Sequence, residues 1–228
     1  MDARERALRL ASRLTEHFGP PLIGRRDPVE ELVLTILSQN TNDTNRDRAY
    51  ASLLGRFGSL DAVRTARVDA IGHAIRVGGL HRQKSARIVA VLQRIHSERG
   101  RLDVSFLGEM NLADAMAWLL ASPGVGKKTA GIVMLFSFGK PYFPVDTHIR
   151  RVLTRVGLIE PGGDPHDQAN ALLPPDLAFM AAMHLLIIRL GREICHPRRT
   201  ECSRCPIRDE CDWADAHPAP TTEGGGRR

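Results

Sequence analysis

The stretch NLADAMAWLLASPGVGKKTAGIVMLFSF, residues 111–138, decides the fold. Ala113, Met116 and Leu119 recur at helical spacing, Ser122-Pro123-Gly124-Val125-Gly126 breaks the pattern, and a second apolar helix starts at Lys127. Two glycines around one small apolar residue let backbone N–H groups point outward at a helix start, where the dipole is positive. Such a turn can cradle a phosphate, although a lone G-x-G also fits an ordinary helix–helix turn. The adjacent lysines, Lys127 and Lys128, sharpen the reading, because cations in a first turn oppose the dipole and cost stability. Neighbouring helical residues point about 100° apart. One lysine is therefore expected to face a phosphate backbone and the other an interior pocket, where burial and the dipole would make its amine a neutral nucleophile.

Eighteen residues beyond the second lysine stands Asp146, in Phe143-Pro144-Val145-Asp146-Thr147-His148 before an amphipathic helix. It reads as an N-cap, and a carboxylate so anchored can also stabilise a developing sugar cation or steer a water or amine. His148 reads as structural.

All four cysteines of the chain, Cys195, Cys202, Cys205 and Cys211, fall in one stretch with spacing C-x6-C-x2-C-x5-C. Thiolates this close along one loop can wrap a single inorganic centre. Zinc remains open, though only Cys202 and Cys205 form the usual C-x2-C knuckle. Disulfides fit poorly with an N-terminus that is charged from the second residue and has no apolar signal core.

Nearly every other segment reads as helix. Apolar stripes run through Ala7, Leu10, Leu14 and Phe18, through Ile88, Val91, Leu92 and Ile95, and through Ile149, Val152, Leu153 and Val156. Gly and Pro punctuate between them, implying about ten short helices, and no stretch alternates with period two. The 228 residues carry a formal charge of +6 and are 43% apolar, enough for a packed core and compatible with a polyanionic partner. The longest apolar runs fall short of a membrane span. A soluble cytoplasmic protein is expected, with a disordered tail over residues 215–228.

Taken together, these features resemble the endonuclease III family of DNA glycosylases in the helix-hairpin-helix superfamily. The resemblance rests on Leu37-Ser38-Gln39-Asn40, Gly79-Leu80-His81-Arg82-Gln83-Lys84-Ser85-Ala86, Pro123-Gly124-Val125-Gly126-Lys127-Lys128-Thr129-Ala130, Val145-Asp146-Thr147-His148 and the cysteine loop, in this order. It implies an all-α fold of two helical lobes with a DNA cleft between them. One would be a six-helix barrel with the hairpin, residues 23–140. The other, residues 1–22 and 141–214, would hold a [4Fe-4S] cluster on the four cysteines.

The same resemblance implies a bifunctional glycosylase and abasic-site lyase of base excision repair, monomeric and nucleoid-associated. Its partner would be double-stranded DNA with an oxidised pyrimidine or an abasic site. Lys128 matches the nucleophile and Asp146 the activating carboxylate, lying across the cleft from each other. Leu80 matches the wedge, beside His81, and Gln39 or Asn40 the residues that fill the vacated space. For Gln39-Asn40 a plain helix C-cap is the competing reading. Gly124, Gly126 and Lys127 are expected at the phosphate backbone, and Arg198 and Arg199 as phosphate contacts on the cysteine loop beside Arg192 and Arg204. Ser122 departs from the family's usual leucine, which could loosen the hairpin. An adenine-mismatch glycosylase, a non-catalytic DNA-binding paralogue and an iron-sulfur electron carrier are the rival readings.

Overall fold

The computed structural model describes residues 2–217. Among them there is no β-strand; the one extended pairing is an isolated antiparallel bridge between Cys195 and Thr200. In these described residues twelve α-helices and several single turns account for the fold, two more than the punctuation of the sequence suggests. None of these helices is long and apolar enough to cross a membrane. The chain separates into two compact units, one of residues 24–144 and one of residues 1–23 with 145–228.

The contiguous unit contains α2 (Pro28–Ser38), α3 (Asp43–Phe57), α4 (Leu60–Thr65), α5 (Val68–Ala74), α6 (His81–Arg99), α7 (Leu112–Leu120) and α8 (Lys127–Ile132). Helix α2 begins where Asp27 accepts from the Val29 and Glu30 amides at 2.9 and 3.0 Å, with Pro28 preset for the first turn. It is buried from Val29 to Leu37 except at Glu30, so its sides are apolar nearly all round and it forms the centre of this unit. Leu53, Ile71, Ile75, Ile88, Leu92 and Ile95 join it in one continuous core. Each such side chain contributes about 1.5–3 kcal/mol on leaving water.

Helix α8 does not run on to Phe138 as one α-helix. After Ile132 it widens into a π-helical turn, Val133–Ser137, in which the Phe138 amide donates to the Val133 carbonyl at 3.2 Å. Gly131 is needed here, because a Cβ at that position would lie 2.5 Å from the Tyr142 ring.

The other unit is built from α1 (Ala3–Phe18), α9 (Thr147–Val156), α10 (Pro165–Leu172), α11 (Leu177–Glu193) and α12 (Asp212–Ala216). Ala7, Leu10 and Leu14 of α1 are buried, as are Ile149, Val152, Leu153 and Val156 of α9. Asp215 and Ala216, expected in a disordered tail, instead complete α12. They are held by Trp213, whose ring stacks on His217 at 3.9 Å and lies under the Arg155 guanidinium at 4.8 Å. The rest of that expected tail, 218–228, lies outside the described residues.

Candidate functional site

The hairpin turn is type II. The Val125 amide donates to the Ser122 carbonyl at 3.1 Å, Pro123 takes the first corner and Gly124 the second, with φ +79°. Gly124 is required twice over, by its positive φ and because a Cβ there would sit 2.5 Å from Cδ of Arg87. Gly126 is the N-cap of α8 and has no side chain to bond the first amides, while a Cβ on it would meet open space. The turn thus leaves room for an acceptor from outside to approach the start of α8.

Lys127 and Lys128 follow at once, and both are half-buried. The two are alike in burial, which does not by itself distinguish a lysine facing a phosphate backbone from one facing an interior pocket. Ser122, expected to loosen the turn, is buried at 4% exposure and bonded. Arg94 donates to its hydroxyl at 2.5 Å and to the Trp118 carbonyl at 2.8 Å. Glu98 pairs with Arg94 and accepts from the Trp118 indole, both at 2.8 Å. A polar brace stands where a leucine would pack.

Two loops of this unit carry the residues expected to enter DNA. Gln39 does cap the C-terminus of α2, and its side chain is also engaged. It accepts from Arg87 at 2.7 Å and reaches the Gly124 carbonyl at 3.4 Å, which ties this loop to the hairpin. Asn40 follows at φ +51° and is exposed. In the second loop Leu80 is 45% exposed at φ +45°, and the half-buried His81 opens α6 behind it. Among the described residues, Asn40 and Leu80 are the non-glycine positions with positive φ.

Sequence reasoning missed Arg87 and Lys84. Lys84 is fully buried, and its ammonium donates to the Leu37 and Gly78 carbonyls, each at 2.7 Å. Burial pulls its pKa down to about 8. A signal was present: Lys84 stands one helical turn before Ile88, in register with the buried stripe of Ile88, Val91, Leu92 and Ile95.

In the other unit, Asp146 is the N-cap of α9 and accepts from the Ile149 amide at 2.8 Å. His148 packs against Gly191 of α11 and lies 3.2 Å from the Arg151 guanidinium, in keeping with a structural role.

The four cysteines are unpaired thiols and all line one pocket, together with Val152, Val156, Leu190, Ile207 and Trp213. Burial pushes the Cys205 thiol up to about 11. A hydrogen bond donated by the Ile207 backbone N–H works against that rise, and the neighbouring sulfurs of Cys195, Cys211 and Cys202 add to it. Thiolates so placed need a cationic centre to persist, so the donor set suits a thiolate-bound metal group. Among the described residues, no three His, Cys, Asp or Glu side chains are drawn together as ligands of a single ion.

Arginines brace this loop from two helices. From α1, Arg9 pairs with Glu210 at 2.9 Å, Arg13 with Asp209 at 3.2 Å, and Arg6 donates to the Glu210 carbonyl at 2.9 Å. From α9, Arg155 donates to Cys195 Sγ at 3.1 Å and to the His196 carbonyl at 2.8 Å. Arg204 bonds to Glu201 within the loop and to the carbonyl of Glu193 at the end of α11. Arg192, Arg198 and Arg199 are exposed.

Comparison with known proteins gives a consistent picture. A family model described as HhH-GPD superfamily base excision DNA repair protein matches residues 33–174. Endonuclease III of Thermotoga maritima is 30% identical over 189 residues, 82% of this chain and 84% of that protein. Endonuclease III of Escherichia coli K12 is 29% identical over 93% of this chain and 97% of its own length. Among solved structures, a non-covalent endonuclease III–DNA complex superposes with a TM-score of 0.79 at 22% identity, covering 95% of this chain and 98% of that one. That likeness shows the fold.

Proposed function

Because the chain belongs to the HhH-GPD superfamily of base excision DNA repair proteins and is similar to endonuclease III, we propose that it is a bifunctional DNA glycosylase and abasic-site lyase acting on oxidised pyrimidines in duplex DNA. The observation that supports this reading is the position of Lys128, in the first turn of α8 just past a glycine N-cap, where the helix dipole disfavours a cation; an amine held neutral there would be a nucleophile.

The damaged nucleotide turns out of the stack at a cost of a few kcal/mol, less for a distorted lesion. Leu80 takes up the space, with Gln39 and Asn40 facing the orphaned base. The neutral Nζ of Lys128 attacks C1′, the N-glycosidic bond breaks, and the base leaves with a proton. Opening of the sugar ring gives a Schiff base between Nζ and C1′. This draws electrons from C2′, so that loss of the C2′ proton expels the 3′ phosphate by β-elimination. Asp146, fixed by its own helix cap, stabilises positive charge developing on the sugar. Backbone amides near Gly124 and Gly126, with Lys127, Arg198 and Arg199, hold the phosphates.

Cys195, Cys202, Cys205 and Cys211 would hold a [4Fe-4S] cluster, which supplies a structural staple for the loop bearing those two arginines. Supporting the assignment are their four free thiols around one pocket and the arginine braces that shape it.

A nicking assay tests the reading. On a duplex with one thymine glycol, the protein is expected to cut the strand without added base or heat. Lys128→Gln is expected to lower the single-turnover rate on the order of a thousandfold or more. Base release that leaves an intact abasic strand would mean a water nucleophile and overturn the lyase assignment.

A further inference from the structure

Lys84 is a buried cation that the chemistry above does not use. The side chain fills a core position where a methionine would fit, so the ammonium is kept at a desolvation cost. Its two acceptors are placed with a regularity that packing alone does not demand. One is the Leu37 carbonyl, in the last turn of α2, two residues before Gln39. The other is the Gly78 carbonyl, two residues before Leu80. A last-turn carbonyl is a natural acceptor for a cation, being at the negative end of the helix dipole.

Each bond lies shortly before backbone in an uncommon conformation, Leu37 three residues ahead of Asn40 at φ +51° and Gly78 two ahead of Leu80 at φ +45°. Side-chain-bearing residues in that region are strained and persist only where the surroundings hold them. Gly78 completes the arrangement, because a Cβ there would press on Ala49 at 3.3 Å and shift the carbonyl that Lys84 uses.

We propose that Lys84 is a positioning residue that fastens the Gln39–Asn40 loop and the Gly79–Leu80 loop to one ammonium, so that both enter the duplex as a single element when the nucleotide is flipped. The proposal rests on the reading of these loops as the parts that fill the vacated space. It adds that they act in concert, and that the concert is made by one side chain touching neither DNA nor the reacting atoms.

A double-mutant cycle separates these levels. Single-turnover excision of thymine glycol is measured for Asn40→Ala, Leu80→Ala and the double variant, in the wild-type background and with Lys84→Met. In wild type the combined loss should depart about tenfold from the product of the single losses. With Lys84→Met the losses should multiply, while the salt dependence of binding to undamaged DNA stays as in wild type. The same departure in both backgrounds overturns the proposal. Single variants with no effect on excision would instead sink the underlying reading of the loops. If methionine at 84 prevents folding, Lys84→Arg and Lys84→Gln replace it. Coupling kept with arginine and lost with glutamine supports the role, and equal coupling in the two overturns it.

Discussion

The Gln39–Asn40 and Gly79–Leu80 loops of the contiguous unit and the cysteine loop of the other unit are held by opposite means. The former converge on one fully buried ammonium bonded to two backbone carbonyls. The latter is gripped by partly exposed arginines from α1 and α9 and presents four thiols to a common pocket. Losing a buried donor leaves its carbonyls unpaired in the interior, whereas surface ion pairs are individually weak and back one another up. Each region should therefore be brittle at a different point: the first at Lys84, the second at the cysteines rather than at the arginines around them.

The sharpest way to break that contrast is Cys205→Ser. On the proposed cluster assignment, loss of one of its four thiolates should abolish visible absorbance and bound iron in the purified protein. It should also lower Tm further than removal of any one of the bracing arginines, because binding of such a group is itself folding free energy. Colourless, iron-free protein that is fully active and equally stable would show that the loop is held by its arginines after all.

The braced hairpin provides the intermediate case. Arg94→Met strips the Ser122 hydroxyl and the Trp118 carbonyl of their donor in a largely buried place. About 1–3 kcal/mol should be lost, seen as a Tm lowered by about 2–4 °C per kcal/mol for a chain of this size.

Alkaline titration tests Lys84 from another side. Its folded-state pKa of about 8 lies below the ordinary 10.5, so the unfolded chain binds more protons between those values. Stability should therefore rise from pH 8 to pH 10.5, and Lys84→Met should flatten that rise when Tm is followed against pH. The neutral amine still has two N–H groups, one for each carbonyl, so the clasp itself survives deprotonation. The smallest effect belongs to the exposed arginines. Arg198→Gln and Arg199→Gln should each reduce the slope of log K against log salt by about one, with Tm unchanged.

Much of this molecule was readable from the chain itself. The stripes of α6 and α9 are buried where helical spacing puts them, as is that of α1 up to Leu14, with Phe18 only half-buried, since burying one apolar face leaves few alternatives. Pro123-Gly124 implies a tight turn by backbone conformation alone, and Asp146 caps its helix as its position before an amphipathic stretch suggests. The parts that escaped depend on partners distant in sequence. Lys84 shares the register of Ile88 but follows the polar run His81-Arg82-Gln83, and its acceptor Leu37 lies 47 residues away. The Arg94–Ser122 brace spans 28 residues, and Gln39 meets the hairpin 85 residues away. The π-helical turn after Ile132 has no local signal, because Val133-Met134-Leu135-Phe136 would suit an α-helix equally well.

Locating the bond between protein and DNA is the most direct test of the lysine nucleophile. The protein is incubated with abasic-site duplex and borohydride, digested with a protease, and the peptide carrying the reduced sugar is sequenced by mass spectrometry. A single modified residue, Lys128, is the expected result. Modification of Lys127 with Lys128 intact, or no adduct from protein that nonetheless releases the damaged base, would contradict it.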